Sequence, residues 1–115
     1  MRPLIFVADS RRALAEFPKA VQQQVGFALY QAQMGGKHVE AKPLKYVGAG
    51  VLEVVSDYRG DTFRTVYTVK LEKAVYVLHA FQKKSKHGVT TPKSVMDLVK
   101  QRLQRAIEID RELES

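Results

Sequence analysis

The chain has 115 residues, the usual size of one domain, with no cysteine and 19 lysines and arginines against 12 aspartates and glutamates, a formal net charge of +7. The missing cysteines exclude disulfides and thiolate metal sites and fit a reducing compartment. The longest apolar run near the start, Leu4 to Ala8, is too short for a signal-peptide core or a membrane span. A cytoplasmic protein without a membrane partner is therefore expected, and the positive surplus favours an anionic partner, nucleic acid before acidic protein.

Pro3-Leu4-Ile5-Phe6-Val7 reads as a short opening strand. Asp9 or Ser10 can cap a short helix through about Glu16. Pro18 suits the first turn of a second helix, in which Phe17, Val21, Val25, Ala28, Leu29 and Ala32 form one apolar stripe. Gly35-Gly36 stops that helix. Residues 37–50, with Pro43 and two glycines, look like a loop. Strand-like runs follow at about 51–58, 62–70 and 74–82, joined by Arg59-Gly60-Asp61 and Leu71-Glu72-Lys73. Links this short imply antiparallel neighbours. Thr91 can cap a last helix with Pro92 at its first position. Val95, Leu98, Val99, Leu103, Ala106 and Ile107 supply its buried face, and the tail from Glu108 reads as a solvated end. The sum is a small α+β domain spanning 1–115: a strand, two helices, a three-stranded antiparallel meander and a C-terminal helix.

Period-two alternation puts Phe63, Thr65, Tyr67 and Val69 on one face, and Arg64, Val66 and Thr68 on the other. An arginine between apolar neighbours in mid-strand either pairs with a carboxylate across the sheet, Glu53 or Asp57, or meets an external anion. The last strand then offers Val75, Val77, His79 and Phe81 on one face. His79 fits a hydrogen-bonded core position at least as well as a base. Beyond it lie Lys83, Lys84, Lys86, His87 and Lys93, and from Lys73 to Met96 there is no acidic residue. That concentration, more than the total charge, points to phosphate. The histidines His38, His79 and His87 are too scattered for a metal site. Gly48-Ala49-Gly50 lacks the spacing of a dinucleotide loop.

The run "DYRGDTFRTVYTVKLEKAVYVLHAFQKKSKHGVTTPK" resembles the RelE/ParE toxins of bacterial type II toxin–antitoxin systems, in their phage-derived, HigB-like branch. The resemblance is dense from about Val51 to Arg105. It rests on Phe63-Arg64-Thr65-Val66-Tyr67, on "VLHAFQKKS" at 77–85 and on "TPK" at 91–93. It departs at Phe63, where the family commonly has tyrosine, and at Ser94-Val95-Met96, where it is usually more charged. The resemblance implies an mRNA endoribonuclease acting on the translating ribosome and restrained by a cognate helix-turn-helix antitoxin. A ParE-like poison of DNA gyrase and an inactive nucleic-acid- or antitoxin-binding member are the alternatives.

Cleavage of RNA by its own 2′-hydroxyl requires a positioned strand, a neutralised pentacovalent phosphate and two proton transfers. Arg64 and Lys84 are expected to stabilise the phosphate, with Lys83 beside them. His79, His87, Tyr58 and Tyr67 are the groups suited to proton transfer. The surrounding RNA-binding set is Arg59, Lys83, Lys84, Lys86, His87 and Lys93. No cofactor or metal is expected.

Overall fold

The computed structural model describes residues 1–83 and 91–114. The elements run β1 (Leu4–Phe6), α1 (Ser10–Ala15), α2 (Lys19–Gln33), β2 (Ala41–Pro43), β3 (Val51–Tyr58), β4 (Asp61–Thr68), β5 (Val75–Lys83) and α3 (Lys93–Glu114). They form the expected α+β fold around a five-stranded mixed sheet of order β1-β5-β4-β3-β2. Only β1 runs parallel to its neighbour; the other pairs are antiparallel.

Apolar residues cover both faces of this sheet, and each face has its own core. On one, Phe17 and the α2 stripe Val21, Val25, Ala28, Leu29 and Ala32 pack on Val54, Phe63, Tyr67, Val75 and Val77. On the other, Val99 and Ala106 of α3 pack on Val51, Val66, Tyr76 and Leu78. The β3–β4 hairpin closes on Arg59 and Gly60, both at positive φ (51° and 85°). Two left-handed residues match the twist of the flanking strands, and glycine takes the second place without steric cost. Gly50 has a sharper reason. Its φ is +78°, and a Cβ there would lie 2.5 Å from that of Lys70.

Four local expectations need correction. Residues 37–50 are not wholly loop, because Ala41–Pro43 pairs with Leu52–Val54 as an edge strand. Proline is tolerated there because an edge needs fewer ladder donors. Second, the register slips between Val66 and Tyr67, where Val66 faces His79 and Tyr67 faces Val77. The extra residue, Leu78, reverses the alternation. His79 and Phe81 therefore lie on the α3 side with Tyr76 and Leu78, not with Val75 and Val77. Third, the expected caps are otherwise engaged. Asp9 makes no capping bond and instead binds Arg102, 2.7 Å away; Ser10 Oγ donates to the Val77 carbonyl. Pro18 precedes α2 rather than lying in its first turn. Pro92 likewise lies just before α3, and Thr91 Oγ1 donates to Glu53. Fourth, the tail is not simply solvated. Asp110 is only 6% exposed and accepts from the Tyr76 hydroxyl (2.9 Å) and the Lys73 amide (3.0 Å). No helix among the described residues is long and apolar enough to cross a membrane.

Candidate functional site

The pairing of β3 with β4 sets Val55 opposite Arg64, so Glu53 and Asp57 are its diagonal neighbours on the α3 face. Asp57 Oδ1 is taken by the hydroxyl of Thr62 at 3.0 Å. Glu53 takes the arginine: Arg64 Nη1 donates to Glu53 Oε1 at 2.6 Å, with both side chains largely buried. Glu53 Oε2 accepts the Thr91 hydroxyl at 3.0 Å. One carboxylate thus ties together β3, β4 and the approach to α3. Removing one partner of such a buried pair typically costs about 3–5 kcal/mol, because the other charge is left unpaired. Arg64 Nε is also buried and has no hydrogen-bond partner among the described residues. A buried donor of this kind is a standing cost to the fold.

Above this pair opens a cleft of about 500 Å³, within the size range of small-ligand sites. Leu44 and Met96 line it with apolar surface. Lys45, Lys93 and Lys100 add positive charge, of which Lys93 faces Asp97 at 3.5 Å. Lys93, Met96, Asp97 and Lys100 recur at the spacing of one helix face, which is why α3 presents them together. Arg64 and Lys93, both expected site residues, are therefore brought into one cleft.

Lys83 ends β5 opposite Thr62, two residues beyond Phe81, which faces Arg64. It is only 9% exposed. Its amine is held below the ordinary lysine range, first by burial and then by the Arg64 charge, while Glu53 pulls the other way. The two like charges feel each other across the strand pair. Arg59 sits apart at the hairpin tip, its guanidinium 5.2 Å from the centre of the Tyr58 ring. Lys84, Lys86 and His87 lie outside the described residues.

His79 does not line the cleft. It stacks on Phe81 at 5.3 Å, and its Nδ1 lies 3.1 Å from Arg102 Nη1, which also donates to the Leu78 carbonyl at 3.0 Å. A guanidinium can only donate, so Nδ1 is the acceptor and neutral His79 carries its proton on Nε2. Burial lowers its pKa, the Arg102 charge lowers it further, and Asp9 opposes both. Asp9 is itself held low by the Arg102 bond and charge. Tyr58 and Tyr67 depart from the proton-transfer group: both pack on the α2 side of the sheet, away from Arg64. Burial pushes the Tyr67 phenol up to about 12.

Sequence reasoning named Glu53 only as one possible partner, and missed Arg102, Lys45, Tyr46 and Lys100. The i, i+3, i+4, i+7 spacing of Lys93, Met96, Asp97 and Lys100 is a legible signal. Tyr46 gives none, because nothing in the sequence says that its backbone is left-handed (φ 70°). Among the described residues no group of three or more histidines and carboxylates gathers as a metal site.

Searches of curated proteins and of solved structures return no significant match. A family description does match: Phage derived protein Gp49-like (DUF891), over residues 12–104. That span holds Glu53, Arg64 and the start of α3, the residues that build the cleft floor and its helical wall, and also Lys83 at the end of β5. The chain belongs to this Gp49-like phage-derived family, a toxin-like group of RelE/HigB type.

Proposed function

We propose that this protein is the toxin of a type II toxin–antitoxin pair and an endoribonuclease that cuts mRNA on the translating ribosome. The observation that carries this reading is Arg64. It is fixed by Glu53 at the floor of a lysine-rimmed cleft, with one buried donor unpartnered among the described residues. Membership of a toxin-like family adds the biological setting.

In this reading the 2′-hydroxyl of one nucleotide attacks the adjacent phosphorus. The bond from phosphorus to the 5′-oxygen of the next nucleotide breaks, leaving a 2′,3′-cyclic phosphate and a free 5′-hydroxyl. Arg64 stabilises the extra negative charge on the pentacovalent phosphate, acting as a fork where a lysine acts as a point charge. Lys83, with its lowered pKa, suits a proton-transfer role beside it. Lys84 adds charge, while His79, fixed by Arg102 outside the cleft, is left without a part in the proton transfers. Lys93 supplies electrostatic attraction at the rim and Arg59 at the hairpin tip, and Lys86 and His87 complete the RNA-binding set. A cognate helix-turn-helix antitoxin restrains the enzyme by laying an acidic segment over the same charges.

The test is induction of the protein alone, with RNA 5′ ends mapped and gyrase supercoiling followed in parallel. New 5′-hydroxyl ends within translated codons are expected, with supercoiling intact. Intact RNA with blocked supercoiling would replace the nuclease by a gyrase poison.

A further inference from the structure

Tyr46 stands at the lip of the cleft with 85% of its surface exposed and φ at +70°. A bulky L-residue avoids that conformation, and an exposed ring gains nothing from folding that would offset it. Its neighbours show how it is held. The Leu44 amide donates to the Val51 carbonyl at 2.9 Å, and Val47 is buried in the core on the α3 side. Between these two anchors the chain turns outward and leaves the ring in solvent. Lys45 adjoins it in sequence, and Lys93 and Lys100 line the cleft from α3. Lys45 and Lys100 make no ion pair among the described residues.

An exposed aromatic ring, lysines around it and the apolar surface of Leu44 and Met96 beside it are the parts of a single-strand binding platform. The ring stacks a base of any identity, and the cations follow the backbone. We propose that the mouth of this cleft is a base-stacking subsite for single-stranded RNA, with one base on Tyr46 and the flanking phosphates drawn to Lys45 and Lys100. RNA as the ligand rests on the nuclease reading above; the stacking geometry does not. An acidic peptide would use the lysines but leave the strained ring without a role. A duplex would keep its bases stacked within itself and out of reach.

The chain contains no tryptophan, so Tyr46→Trp introduces a single indole reporter. The probe is a short mixed-sequence 2′-O-methyl RNA, which binds but cannot be cut. Expected is quenching of the indole by the single strand, and little by the same sequence as a duplex or by polyglutamate of equal charge. In the otherwise unaltered protein, Tyr46→Ala should weaken binding roughly 5- to 100-fold, and Tyr46→Phe by no more than about 2-fold. Tyr46→Gly should lose the same affinity yet melt no lower than wild type, because glycine is at ease at this φ. That separates a binding defect from a folding defect. Absent quenching, equal quenching by polyglutamate, or unchanged affinity in Tyr46→Ala overturns the subsite. The two readings fail separately. A protein that cuts mRNA equally well with or without the ring keeps the nuclease and loses the platform. One that shows single-strand quenching but leaves mRNA intact keeps the platform and loses the nuclease.

Discussion

Arg64 Nη1 is already occupied by Glu53, so the pair works as a clamp: the carboxylate fixes the direction of the guanidinium, while Nε has no partner among the described residues. Direction matters more than charge for stabilising a transition state. Arg64→Lys keeps the charge and loses the fork, and should cost nearly as much activity as Arg64→Ala, on the order of a hundredfold. RNA cleavage and growth arrest read this, with melting as the control for the broken ion pair. A folded Arg64→Ala cleaving at the wild-type rate removes Arg64 from the site. His79 makes a prediction in stability. Its folded pKa lies below the ordinary 6.5, so the unfolded chain takes up the proton first as pH falls. Stability should be full above 6.5 and decline below it until the depressed folded value is passed. Denaturant midpoints between roughly pH 5 and 8 follow this. His79→Gln can still accept from Arg102 and does not titrate, so its profile should be flatter; an unchanged slope assigns the titration elsewhere. Both carboxylate candidates for Arg64 were legible in the sequence. The choice between them was not, because it turned on Thr62 engaging Asp57.

At the scale of elements, α3 is fastened to the sheet at both ends by carboxylates. Glu53 holds Thr91 just before it, and Asp110 gathers the Tyr76 hydroxyl and the Lys73 amide near its far end. Burial and the Asp110 bond together drive the Tyr76 phenol well above its ordinary range. Asp110→Ala strands both donors and should destabilise by about 2–6 kcal/mol, each unsatisfied group costing roughly 1–3. Asp110→Asn keeps an acceptor oxygen and should lose less. Equal melting of Asp110→Ala and wild type would show that α3 is held by its apolar face alone. The strand and helix order was readable because the α2 stripe and the three β runs carry clear periods. The bulge was not. Val75–Ala80 is apolar on both faces apart from His79, so no polar alternation marks where the extra residue enters. The edge strand β2 was hidden for another reason: three residues, one a lysine and one a proline, read as loop until Leu52–Val54 supplies the partner.

At the scale of the whole molecule, several carboxylates that could offset the lysines are turned to internal bonds. Glu53 is committed to Arg64, Asp9 to Arg102, and Asp110 to Tyr76 and Lys73. Two of these carboxylates each cancel one arginine, which leaves the net surplus of +7 unchanged, and the acid-free stretch from Lys73 to Met96 ends at the cleft wall. The sequence foretold the sign and concentration of this charge, but not that β2, β3 and α3 would gather part of it around one opening. If RNA lies there, its affinity should fall steeply with salt, because each phosphate neutralised by a cation releases counterions. For a single strand the log–log slope is about −0.7 per phosphate contact. Replacing Lys45, Lys93 and Lys100 together by alanine should make that slope shallower by about 2 if each meets one phosphate. Replacing Lys84 and Lys86 should make it shallower by about 1.4 on the same count. Binding of a 2′-O-methyl RNA across a salt series measures both. If only the second replacement changes the slope, the strand follows the end of β5 and bypasses the cleft. If neither does, the field steers RNA toward the protein without holding it, and faster association at low salt should be its remaining signature.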